Sequence, residues 1–146
     1  MMSPAGRRHE TIRIKLARRL NQLARPTVMI ASEPQFNLAP DTFVKPDILV
    51  HPDAINSYDL KGAEAWLLTE VAETSLSYDL KTKRPLYASH GVPEYWVINA
   101  ATLMTTVHRR PMGDAYADIV EVRPDTRLVP SLAPELAVSL NELALD

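Results

Sequence analysis

The sequence predicts a mixed α/β fold of the α+β type, with a central mixed β-sheet flanked by helices. Three observations predict it. An amphipathic helix opens the chain, short segments rich in β-branched residues recur between residues 27 and 122, and a second helical pattern interrupts them near the middle.

The first helix is expected from about His9 to Ala24, because Ile12, Leu16, Leu20 and Leu23 recur at spacings of four, four and three, and Pro26 stops it. "TVMI" (27–30) follows as a short buried strand, and "SEPQFNLAPD" (32–41) reads as a loop. "FVKPDILV" (43–50) resumes strand character; its Pro46 has no N–H for a ladder, which asks for an edge or a first-paired position. Residues 51–65 carry Pro52, Asn56, Ser57, Asp59 and Gly62, and predict a loop or one helical turn where flexibility is expected. "AWLLTEVA" (65–72) is a central strand. A helix over 78–90 bends at Pro85, and Gly91 ends it in the C′ role. "EYWVINA" (94–100) and "MTTVHRR" (104–110) pair as a hairpin, "YADIVEV" (116–122) continues the sheet, and residues 131–146 pack on it as a turn and short helix. No repeat, low-complexity tract or domain-scale linker divides residues 1–146, so one domain is expected.

Composition removes several chemistries. The 146 residues include no cysteine, which excludes disulfides, thiolate zinc sites and cysteine nucleophiles. Four scattered glycines allow neither a dinucleotide fingerprint nor a phosphate-cradling loop; the four histidines lack zinc-protease spacing, and no serine sits in a nucleophile elbow. No apolar run approaches the ~20 residues of a membrane span, and the N-terminus lacks the apolar core of a secretory signal. A cytoplasmic protein without membrane contact is therefore expected.

The net charge of -2 is unevenly spread: residues 1–26 hold seven basic side chains against Glu10 alone, a balance of +6 that leaves -8 for the rest. A local positive face can engage phosphates although the total is slightly negative, since screening limits surface interactions to about 8–10 Å. Arg13, Lys15, Arg18 and Arg19 are the residues expected to hold nucleic acid; a solvated helix face is the alternative.

Two acids interrupt apolar strands. Alternation in 66–72 puts Trp66, Leu68, Glu70 and Ala72 on one side and Leu67, Thr69 and Val71 on the other, so Glu70 points where large apolar side chains point. A buried, isolated carboxylate costs several kcal/mol, so it is paired, protonated or holding a cation. Asp47 repeats the anomaly in "FVKPDILV". Two convergent carboxylates together with phosphate oxygens and water suit Mg²⁺, with Mn²⁺ as a substitute, and Lys83 on the following helix can fold back to orient water or stabilise charge. Ion pairing of Asp47 or Glu70 with arginine, Glu73 in solvent just past the strand, and Asp79 as an N-cap or an i+4 partner of Lys83 are the bland alternatives. A further alternative, a structural dimer with incidental acids, predicts Asp47 and Glu70 on opposite sides of the sheet.

The run "EVAETSLSYDLKTKRPLYASHGVPEYWVIN" (70–99) resembles the Uma-type putative restriction endonuclease family of the PD-(D/E)XK nuclease superfamily. "RHETI" resembles its histidine-led first helix, "VKPDILV" its PD strand and "LVPSLAPELAVSLNEL" its closing segment, so the resemblance covers nearly the whole chain. It implies a restriction-endonuclease-like core, with Asp47 as the PD aspartate, Glu70 as the acid of the (D/E)XK strand, and Lys83 as the lysine moved to the helix, the superfamily's usual position being Ala72. Gly91, Pro93, Tyr95 and Trp96 belong to the same signature and read as structural.

The resulting expectation is a Mg²⁺-dependent endonuclease acting on DNA, with Asp47 and Glu70 as metal ligands, Lys83 catalytic and Asp79 in support. Cleavage of both strands would make a homodimer natural. A catalytically silent module that binds nucleic acid or a protein partner is the competing expectation.

Overall fold

A computed structural model of the protein describes residues 6–73 and 78–145, the side chain of Asp79 excepted. Helix α1 (Arg7–Leu23) leads into β1 (Val28–Ser32), a hairpin β2 (Phe36–Ala39) and β3 (Thr42–Val44), then β4 (Ile48–Pro52) and β5 (Leu67–Ala72). A π-helical turn (Asp79–Lys83) runs into α2 (Arg84–Ser89), followed by β6 (Glu94–Asn99), β7 (Thr105–Met112) and β8 (Ala115–Val122). Six strands form one sheet in the order β1-β4-β5-β6-β7-β8, and β2-β3 form a separate two-stranded sheet. Only β5 and β6 run parallel within the larger sheet. A parallel pair needs a crossover, and the turn with α2 supplies it. The expected mixed α/β architecture is thus the observed one.

Each face of the sheet has its own core. Ile12, Leu16 and Leu20 of α1 pack with Ile30, Ile48, Val50, Leu67, Val71 and Trp96, and Leu136, Val138 and Leu140 of the C-terminal segment close this layer. On the other face Tyr87 and Ala88 of α2 meet Leu49, Leu68, Ala72, Tyr95, Val97 and Phe36. The period-two alternation of β4 and β5 sorts Leu49 and Leu68 from Ile48, Val50 and Leu67. Every residue of β5 is buried, as a strand covered on both faces must be.

Several boundaries differ from expectation, each for a local reason. The anticipated loop contains β2, because Phe36 is buried in the second core and its strand pairs with β3. The anticipated strand 43–50 is two strands, since Lys45 and Pro46 break it and only Ile48–Pro52 joins the main sheet. Residues 53–65 form two 3-10 turns, Ser57–Asp59 and Gly62–Glu64, the first capped by the Asn56 side chain accepting from the Tyr58 N–H. The helical run expected over 78–90 is present over 78–89, but residues 79–83 take π-helical form before Pro85, whose missing N–H interrupts the regular α ladder at the start of α2. The C-terminal segment makes two 3-10 turns, Pro134–Leu136 and Leu140–Leu143. Trp66 precedes β5 and packs against the α1-side core, on the opposite side from the one alternation assigned it. Gly91, with φ of +75°, ends α2 as expected, its N–H donating to the Ala88 carbonyl.

Candidate active site

The ladder between β4 and β5 is short. Its pairs are Val50 with Leu67, Leu49 with Leu68 and Ile48 with Thr69, so one further step brings Asp47 opposite Glu70. There the strands part, and a side chain replaces the backbone: the Val71 N–H donates to Asp47 Oδ2 at 2.7 Å. The Asp47 carbonyl accepts from the Glu33 N–H at 3.1 Å, which ties the segment to the end of β1. Pro46 thereby acquires a role. Lacking an N–H, it ends pairing on one side and lets the next residue turn its carboxylate toward β5.

Glu70 is buried, and Lys83 Nζ donates to its Oε2 at 2.5 Å. The lysine reaches it because the crossover carries the chain from the end of β5 back over the sheet through the π-helical turn. Burial pushes the Asp47 carboxyl above its ordinary value, against the Val71 N–H, His9 and the field of Lys83, which all favour the charged form. Asp47, Glu70 and Lys83, distant in sequence, thus share one corner of the sheet. The alternative of incidental acids places Asp47 and Glu70 on opposite sides of the sheet; here Asp47 accepts from the residue after Glu70, and Lys83 bonds Glu70 while lying within the field of Asp47.

Two further residues join this corner. His9, in the first turn of α1, donates from Nε2 to Asp47 Oδ2 at 3.2 Å, while its buried Nδ1 stands 3.4 Å from Glu10 Oε1 without hydrogen-bond geometry. Glu73, expected to be an idle residue beyond the strand, accepts the His9 backbone N–H at 3.1 Å. Gly6 offers no capping side chain, so Glu73 satisfies an orphan donor of α1 from another element and sets a negative charge at the positive end of the helix. The end of β5 and the start of α1 are locked together through Glu73, His9 and Asp47. The signal that could have found His9 is its place in the first turn of a helix beginning "RHETI".

The basic residues of α1 divide. Arg13 turns toward the acidic corner: it forks onto Glu10 at 2.8 and 3.2 Å, stands 3.3 Å from Glu33, and lies within the field of Asp47. Lys15, Arg18 and Arg19 gather instead at a shallow groove with Glu142 and Ala144, where Lys15 donates to the Ala144 carbonyl and Arg19 pairs with Glu142 at 3.4 Å. The four do not form one phosphate-binding stripe; Arg18 is the exposed member of the second group. Asp79 begins the π-helical turn, and its side chain lies outside the described residues.

The signature around Tyr95 and Trp96 holds a buried structural knot. Glu94 accepts from Trp96 Nε1 at 2.6 Å, Arg109 at 3.0 Å and the Ser131 N–H at 2.8 Å, joining β6, β7 and the C-terminal segment. Its side chain is thereby satisfied by three donors, as a buried polar group requires.

A family model described as "Uma2: Putative restriction endonuclease" matches residues 1–142. The chain belongs to this Uma2 family. A crystal structure described as a putative nuclease belonging to DUF820, from Anabaena variabilis ATCC 29413, has the same fold as this Uma2-family chain: the TM-score is 0.77 at 20% identity, over 97% of this chain and 82% of that one. No curated protein matches. Among the described residues no helix of this Uma2 member is long and apolar enough to cross a membrane.

Proposed function

We propose that this Uma2-family protein is a metal-dependent endonuclease that hydrolyses the phosphodiester bonds of DNA. The observation that carries the proposal is the meeting of Asp47, Glu70 and Lys83 at the carboxyl end of β5, the end at which open sheets with parallel strands place their ligand sites. Family membership supports the same reading.

The donor set fits Mg²⁺ or Mn²⁺. No group of three histidine or carboxylate side chains able to hold a metal occurs among the described residues, but Mg²⁺ is commonly held by one or two carboxylates with water and substrate oxygens completing its shell. Asp47 also bears the mark of a carboxylate short of positive charge: its proton is held too tightly because burial outweighs its partners. Asp47 and Glu70 would hold the ion, which when bound supplies a polarised water and neutralises phosphate charge. Lys83, released from Glu70, faces the phosphate and stabilises the negative charge that grows as water adds to phosphorus and the P–O bond to the leaving sugar breaks. His9 fixes the orientation of Asp47 from the second side.

Asp79 is assigned a supporting role beside Lys83, and a homodimer is the assembly that would cut both strands. The competing reading, a silent module that binds nucleic acid or a protein, draws support from the bond between Lys83 and Glu70, which satisfies the acid without a metal. Incubation of purified protein with Mg²⁺ or Mn²⁺ and plasmid, single-stranded and branched DNA decides between them. Cleavage that falls roughly a hundredfold or more in Glu70→Ala supports the enzyme, since several kcal/mol of charge stabilisation are at stake. Intact DNA, with no Glu70-dependent Mn²⁺ binding by calorimetry, leaves the module.

A further inference from the structure

Beside Lys83 the chain places a second cation whose anchoring is unusual. Arg84, the first residue of α2, donates from Nε to Nε2 of His108 at 2.8 Å. The imidazole is fully buried, and its Nδ1 donates to the Tyr95 carbonyl at 2.8 Å. A guanidinium can only donate and a carbonyl can only accept, so the ring is the neutral Nδ1–H tautomer. Its plane is held as well: the ring stacks on Tyr95 with centroids 5.0 Å apart and meets Tyr116 at 5.5 Å. Tyr116 is itself fixed, its hydroxyl donating to the Val92 carbonyl at 2.8 Å.

The choice of a neutral acceptor has an electrostatic consequence. Arg109, Arg110 and Arg123 are each held by a carboxylate that cancels their charge, whereas Arg84 is oriented by a group that leaves its full positive charge in place. Burial drives the pKa of His108 down to about 4, and Arg84 adds to that effect, so the acceptor stays neutral over the working range of pH. No carboxylate among the described residues pairs with Arg84. With Nε committed, the edge formed by the two terminal nitrogens remains, and its parallel N–H groups match two non-bridging oxygens of a phosphodiester.

The position fits such a role. Glu70 pairs with Val97, Val97 with Thr106, and His108 lies two residues farther along β7. With strands ~4.8 Å apart and ~3.3 Å of rise per residue, His108 stands on the order of 12 Å from Glu70 across the sheet. Anchored at His108, the Arg84 guanidinium is drawn away from Glu70, so the phosphate assigned to it is one flanking the phosphate served by Lys83.

We infer that Arg84, oriented by His108, is a phosphate-binding residue that clamps the DNA backbone beside the scissile group. The inference rests on the nuclease reading for the identity of its anion. Its test is fluorescence anisotropy of a labelled DNA duplex in EDTA, where no cleavage occurs, across a series of salt concentrations, with wild type, Arg84→Ala and Arg84→Lys. One lost phosphate contact is expected to lower the slope of log K against log salt by about one in Arg84→Ala, with binding weakened roughly tenfold at low salt. Arg84→Lys keeps the charge without the fork and is expected to recover the slope but only part of the affinity. Thermal melts of both variants separate lost folding from lost binding, and a variant that melts early while keeping its slope counts against the clamp. If wild type binds and the slope of Arg84→Ala is unchanged, the clamp is wrong and the nuclease reading stands. If wild type does not bind DNA in EDTA, the clamp is wrong, and the nuclease reading is decided separately by the cleavage assay with Mg²⁺ or Mn²⁺.

Discussion

Lys83 Nζ is hydrogen-bonded to Glu70 Oε2 at 2.5 Å, so the lysine assigned to the phosphate and the carboxylate assigned to the metal are each other's partners. The Glu70 side chain is 6% exposed and that of Lys83 26%. Any cation reaching Glu70 competes with the ammonium.

Lys83→Met keeps most of the stem and removes the charge. Denaturant unfolding in EDTA is expected to show a loss of about 1–3 kcal/mol, below the cost of breaking a fully buried pair because Lys83 is partly solvated. Calorimetry should show tighter Mn²⁺ binding than in wild type, since the competitor is gone, while cleavage is lost. Weaker Mn²⁺ binding in Lys83→Met would contradict the competition.

Asp47 predicts a pH dependence with a defined sign. Its carboxyl is raised above the ordinary value by burial, so as pH rises past the unfolded-state value of about 3.9 the unfolded chain loses a proton that the folded chain keeps. Stability falls through that window and levels off above the folded value. Asp47→Asn, which can still accept from the Val71 N–H, is expected to remove this dependence and to stabilise the protein at pH 7 in EDTA, while weakening Mn²⁺ binding. Urea midpoints between pH 4 and 7 measure it.

His108 carries the opposite dependence. Its folded value of about 4 lies below the ordinary 6.5 of an imidazole, so between those values the unfolded chain binds a proton that the folded chain refuses. Stability is intact above pH 6.5 and declines as pH falls toward 4, by on the order of 3 kcal/mol. Protonation would also set an imidazolium against Arg84. The ring resonances in an NMR titration should hold their neutral positions down to about pH 5.

Glu94→Ala removes a buried acceptor and strands Trp96 Nε1, the Ser131 N–H and one bond from Arg109. A loss of about 3–5 kcal/mol is expected, the scale of breaking a buried charge pair. A thermal melt within a degree or two of wild type would show that the knot matters little.

Gly6→Ala tests the lock at the start of α1. A Cβ there would overlap the Glu73 carboxylate, so the cap on His9 N–H must shift, with a cost of about 0.5–2 kcal/mol. Cleavage should fall with it, because the same turn orients His9 on Asp47. Unchanged activity would exclude the turn from the function.

Much of this molecule was legible in residue order because periodicity is local. Ile12, Leu16 and Leu20 announce α1, the apolar run around Glu70 announces β5, Gly91 announces the end of α2, and the acids within apolar strands single out Asp47 and Glu70 as candidates. The resemblance of "GVPEYW" and its surroundings named the family that the match over residues 1–142 establishes. Tertiary structure alone decided what meets what. The register of β4 on β5 brings Asp47 opposite Glu70, the crossover returns Lys83 to the same corner, and α1 delivers His9 and Arg13 there while carrying Lys15, Arg18 and Arg19 elsewhere. Burial decided the rest. The same imidazole or carboxylate is an ordinary acid or base in an extended chain, and only desolvation by distant elements makes His108 a neutral anchor and Asp47 a reluctant anion.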